Sequence, residues 1–219
     1  MRRRLPAAAV VTGDLIGSTR ATPGALERAM EVLAAVAGEI AAWPPGADTR
    51  FTRFRGDGWQ ILVADAALGL RAALLAIARL RAAGAGLATR AAIGIGRVDS
   101  IGTASLADAR GPAFEASGRA LDAMSRAHRL AIDGEGVAPL HHAVVDLLDE
   151  RAGRWTPQQA EATALYLAPG NPTNAAIAPR LGISPQAVNY RLTGAGAPAA
   201  RRALALWEEA WPGRETADA

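Results

Sequence analysis

The chain has no cysteine and no lysine, and only 5% of its 219 residues are aromatic. Without cysteine there are no disulfides, thiolate metal ligands or thiol nucleophiles, which fits a reducing, cytoplasmic setting. With so few rings, the core has to be built from Ala, Leu, Val and Ile, and the composition, half hydrophobic, supplies them. Because every basic residue is Arg, the sequence pI of 10.4 overstates the basicity, and the net charge is only +3. Nothing in that balance demands a polyanionic partner. No stretch approaches the roughly 18 uninterrupted apolar residues of a bilayer span; RAALLAIARL is cut by Arg71 and Arg79. The opening MRRRLPAAAVV imitates a signal peptide, but Pro6 breaks it and Gly13 and Asp14 end it with no cleavage site.

What is present reads as a run of alternating elements. Ala7 to Thr12 is a short apolar strand bounded by turn residues. From Pro23 to Ala42 the residues Leu26, Met30, Leu33, Val36 and Ile40 recur at helical spacing until WPPGAD stops them. Two strands, 49–55 and 59–63, flank a tight turn at Gly56, Asp57 and Gly58. Asp65 caps a second helix with Leu70, Leu74, Ile77 and Leu80 inward; Arg90 to Ile95 is a strand, residues 111–127 a third helix, and LAID near residue 130 a last strand. This order predicts an α+β, ferredoxin-like (split βαβ) unit over residues 1–150, with a mainly antiparallel sheet and its helices on one face. After about Arg151 only short helices are expected, at 157–167, 174–181, 184–192 and 198–210, making residues 151–219 a second, all-α domain that ends in a frayed GRETADA tail.

Two acids stand at turns of the first unit, Asp14 in VVTGDLIGSTR and Asp57 in FTRFRGDGWQ. The split βαβ order makes their strands neighbours, so both carboxylates are expected to meet at one border of the sheet. Two bare carboxylates about 4 Å apart repel by about 4 kcal/mol at an effective dielectric near 20, which calls for a cation between them. Oxygen ligands without His or Cys point to Mg²⁺ or Mn²⁺ bridging a nucleotide phosphate. The histidines His128, His141 and His142 have no metal spacing with these acids and are expected in surface or helix-end roles.

DLIGST, residues 14–19, RFRGD, residues 53–57, and DARGPAFEASGR, residues 108–119, stand in the order and near the spacing of three motifs of the class III nucleotidyl cyclases. Over about residues 7 to 135 the chain resembles that family, and also the SatD-like bacterial proteins, which carry a similar GPAF helix start and a C-terminal helix-turn-helix. The resemblance implies a palm-type fold with Asp14 and Asp57 as metal ligands. It puts Arg53 and Asp108 where the base is read, and Arg119 where transition-state charge on the phosphate is stabilised. Where the family has the Asn that orients the ribose, this chain has Glu115, an acceptor-only group beside an anionic substrate. The family works as a head-to-tail homodimer.

NAAIAPRLGISPQAVNYRL, residues 174–192, has the spacing of a helix-turn-helix: Gly182 for a left-handed turn, Ser184 and Pro185 to start the second helix, and Ile177, Leu181, Ile183, Val188 and Leu192 for its core. That leaves Gln186, Asn189, Tyr190 and Arg191 to face double-stranded DNA, where Gln and Asn suit adenine edges and Arg suits guanine or phosphate. Pro179 requires the first helix to start late or kink. Residues 152–219 carry six Arg against four Glu and one Asp, a surplus of one, so a dimer is needed to build phosphate affinity. The expectation is a cytoplasmic, dimeric transcription regulator that binds a nucleotide or nucleotide second messenger. An active cyclase and a purely structural dimeric scaffold are the alternatives, and Glu115 favours the sensor over the enzyme.

Overall fold

The computed structural model describes residues 5–43, 49–54, 56–84, 86–102 and 105–211. The opening MRRR, the WPPGAD stop beyond Trp43, and the GRETADA end lie outside them. The described chain is α+β. Strands β1 (Leu5–Ile16), β2 (Arg50–Phe54), β3 (Gly58–Val63), β4 (Ala88–Val98) and β5 (Leu130–Gly134) form one sheet in the order β2-β3-β1-β4-β5. The first four pair antiparallel, in the order that a split βαβ unit requires; β5 adds to β4 in parallel, making the sheet mixed.

Helices α1 (Pro23–Ala41) and α2 (Gly69–Ala82) cover one face, where Ala9, Val11, Trp59 and Ile93 pack with Leu33, Val36, Leu70 and Leu74. Helix α3 (Pro112–Ala123) does not join them. It lies on the opposite face, with Ala113 against Ala8, Val10, Leu62 and Val98, and with the hydroxyls of Thr12 and Ser117 2.7 Å apart. The one-faced expectation fails because β1 and β4 are apolar on both sides, as strands covered on both faces are. Gly94 makes the second layer close, since a Cβ there would meet the backbone of α3 at Ala113 and Ser117.

The helices beyond β5 are α4 (Pro139–Gly153), α5 (Pro157–Tyr166), α6 (Asn174–Leu181), α7 (Pro185–Ala195) and α8 (Ala197–Ala210). Sequence periodicity missed α4, whose exposed Leu140 and Leu147 blur the helical spacing of its buried Val145, Leu148, Asp149 and Ala152. Asp65 caps a short 3₁₀ turn, Ala66–Leu68, which feeds α2. Helix α2 is buried along nearly its whole length, and a single apolar cluster continues through it from the sheet into α5, α7 and α8. Arg71 on α2 donates from Nε to Glu208 Oε1 on α8 at 2.6 Å and also to the carbonyl of Leu167. Arg81 donates to the carbonyls of Trp155 and Gly153, and burial, then the charge of Arg129, holds its pKa below the ordinary arginine value. Among the described residues no helix is long and apolar enough to cross a membrane.

Candidate ligand site and nucleic-acid interface

The β1–β3 register brings the two acids of the sequence together. Asp14 pairs with Gly58, the residue after Asp57, and the Leu15 amide donates to the Asp57 carbonyl at 3.2 Å. Asp14 lies inside β1, not beyond it, because the ladder to β4 runs on to Ile16. That ladder sets Asp14 directly opposite Arg90. Arg90 grips the carboxylate with a two-pronged contact, Nε to Oδ1 at 2.9 Å and the terminal Nη2 to Oδ2. These hydrogen bonds hold the guanidinium above the ordinary arginine pKa against the effect of burial, and the charges of Asp14, Asp122 and Asp57 add to them. Ser18 donates to Asp57 Oδ2 at 2.5 Å.

Both oxygens of Asp14 are therefore committed to an arginine and one oxygen of Asp57 to a serine. As arranged, the pair does not offer the open donor set that Mg²⁺ or Mn²⁺ needs, and among the described residues no group of three or more His, Cys, Asp or Glu could hold a metal ion. Sequence reading saw Asp14 and Asp57 but missed their partners Arg90 and Ser18. Arg90 was visible only as the first charged residue of a strand, and its role appears once the antiparallel register is known.

Of the other residues expected at this site, Arg53 stands beside the turn that carries Asp57, its Nε donating to the Gly56 carbonyl at 2.7 Å. Arg53, opposite Trp59 in the β2–β3 ladder, turns toward α1 and holds both oxygens of Glu27 at 2.8 and 2.9 Å. Arg119, exposed on α3, donates to Asp133 Oδ2 on β5 at 3.0 Å. Glu115 is exposed on the first turn of α3. Asp108 ends a 3₁₀ turn, Leu106–Asp108, and its carboxylate packs over Gly102, where a Cβ would collide with it. Arg53 is held by Glu27 and Gly56 and Arg119 by Asp133, so neither arginine donates to Asp14 or Asp57. His141 takes a helix-start role, its Nδ1 accepting from the Ala138 amide at the start of α4 and its ring edge-on against Trp207 and Trp211, while His128 is exposed in the connection from α3 to β5, 3.5 Å from Asp149.

Beyond α5 in the chain, α6 and α7 form a short helix pair. Thr173 caps α6, Gly182 ends it at φ +64, and Ser184 caps α7 by accepting from the Ala187 amide. Ile177, Ala178, Val188 and Leu192 bury the facing sides. Pro179 neither delays nor splits α6, which runs unbroken from Asn174. The one bond that the proline forfeits falls on the carbonyl of Ala175, an exposed residue that water can reach. Gln186, Asn189 and Tyr190 are exposed, Tyr190 to 83%, and Thr193 continues the same face. Arg191 differs: it is half-buried and donates to Glu161 on α5 at 3.0 Å. No protein-family model matches the chain, and no curated protein matches it.

Proposed function

We propose that the protein is a cytoplasmic, homodimeric DNA-binding regulator in which α6 and α7 act as a helix-turn-helix and a cyclase-like sheet domain binds a nucleotide or nucleotide second messenger. The observation that carries this reading is the α7 surface. Gln186, Asn189 and Tyr190 are exposed on a capped helix whose opposite side is buried, Asn189 also accepting from the Asn174 side-chain amide on α6 at 3.3 Å. Helix α5 packs on α7 and on α2, and α2 packs on β1 and β4, the strands that carry Asp14 and Arg90. A ligand that favours one dimer arrangement would thereby change the spacing of two α7 helices and hence the preferred half-site spacing.

The test is an electrophoretic shift with the protein's own upstream DNA at two stated salt concentrations, with and without nucleoside triphosphates or cyclic nucleotides. Ligand-dependent, sequence-selective binding is expected. Absence of any DNA binding would leave the dimeric scaffold as the better account.

The second reading is an active class III cyclase, favoured by the adjacency of Asp14 and Asp57 in the β1–β3 register. In it these acids would hold Mg²⁺ or Mn²⁺, Arg53, Asp108 and Glu115 would contact the nucleotide, and Arg119 would come from the second chain. Arg53, Arg90 and Arg119 would first have to leave Glu27, Asp14 and Asp133. Incubation with each triphosphate and Mn²⁺, followed by a search for cyclic product, separates the two; no product with tight nucleotide binding retires the enzyme.

A further inference from the structure

We propose that Arg90 is a built-in cation that takes the place of a divalent metal at the Asp14–Asp57 pair, so that this border of the sheet works without a metal and admits one only when the arginine is removed or drawn aside. The contact is built by the fold. Asp14 and Arg90 are directly opposed in the β1–β4 ladder, so their side chains leave the same face from neighbouring backbone positions. The backbones beneath them are fixed: the Thr89 hydroxyl lies 2.7 Å from the Asp14 carbonyl and 2.8 Å from the Arg90 carbonyl, and it accepts from the buried Trp59 indole at 2.9 Å.

The oxygens tell the same story. Of the four carboxylate oxygens on Asp14 and Asp57, three accept hydrogen bonds, two from Arg90 and one from Ser18. A planar fork matched to a carboxylate holds it in two places, which a flexible lysine cannot do. A divalent ion entering here would have to break that fork and would then leave a half-buried guanidinium without its partner, both side chains being 29% exposed. The positive charge that two adjacent acids call for is thus already part of the chain.

The proposal rests on the Asp14–Asp57 pair being the ligand border of the sheet, but its test uses Mn²⁺ alone, so it fails or holds separately from nucleotide binding. The full-length protein, Asp14→Asn, Arg90→Gln and the double variant are titrated with Mn²⁺, with free ion read by electron paramagnetic resonance and folding by circular dichroism. The native chain is expected to bind no Mn²⁺ at the pair at concentrations that saturate Arg90→Gln, whose affinity should be at least about 100-fold higher through removal of a competing charge, and the double variant should lose that site. Mn²⁺ bound by the native protein and lost in Asp14→Asn overturns the proposal, as does a folded Arg90→Gln that gains nothing. Should Arg90→Gln fail to fold, the comparison of native protein with Asp14→Asn still decides it.

Discussion

Gly13 has neighbours that leave room for hydrogen alone. A Cβ on it would run into the carbonyl of Arg90 and come within 2.5 Å of the Trp59 indole, neither of which can yield without moving the strands that align Asp14 with Arg90. Gly13→Ala is therefore expected to cost about 1–3 kcal/mol, the usual range for overpacking a filled core, seen as a lower midpoint in denaturant. Gly38, on the exposed side of α1 with nothing within 4 Å of its Cβ position, is the control. Gly38→Ala should gain about 0.5–1 kcal/mol in the same assay, because alanine loses less backbone entropy in a helix. The same neighbourhood explains what could be read at this scale before the fold was known. Asp14 and Asp57 stand out as acids at glycine-flanked turns, a local signal. Arg90 lies 76 positions from Asp14, and only strand register brings them together.

At the scale of the element, α6 and α7 were legible because their boundaries are chemical: Ser184, Pro185 and Gly182 each have one structural use, and the structure gives each that use. Ser184→Ala should cost about 1 kcal/mol through the lost cap, and Gly182→Ala about 1–2 kcal/mol because a side chain strains its left-handed backbone, both read by thermal unfolding. Helix α4 was not legible, since outward leucines on one side of a helix mimic its core. Strand β5 was foreseen as a strand but not as a parallel one, because direction is set by the α3 crossover and not by its five residues. The exposed face of α7 separates affinity from stability. Alanine at Gln186, Asn189 or Tyr190 should weaken DNA binding about tenfold each with an unchanged melting temperature, by analogy with the energies of good base contacts. Arg191→Ala should do less to binding than these, since its guanidinium is engaged by Glu161, and little to stability, since that pair is half-exposed.

Across the whole molecule, the joint between sheet and helices turns on Arg71 and Glu208, whose side chains are only 6% and 11% exposed. Two charges removed from water at the meeting of α2 and α8 are tolerable only together, with the Leu167 carbonyl as a further acceptor for Arg71. Glu208→Gln leaves the guanidinium buried with its charge unmatched. The expected cost is about 3–5 kcal/mol, the range found on breaking buried pairs, which at about 2–4 °C per kcal/mol for a chain of this size lowers the melting temperature by about 6–20 °C. Replacing both, Arg71→Met with Glu208→Leu, removes the desolvated charges along with their attraction and should restore most of that loss, because apolar side chains of similar volume suit the surrounding cluster. Calorimetry reads more than the shift. Because α5, α7 and α8 share one apolar cluster with α2, Glu208→Gln should move a single transition as a whole. A split trace, with one part unmoved, would mean that the helices beyond residue 150 unfold independently of the sheet, and a signal from the acidic border could then not reach α7 through α2 and α5.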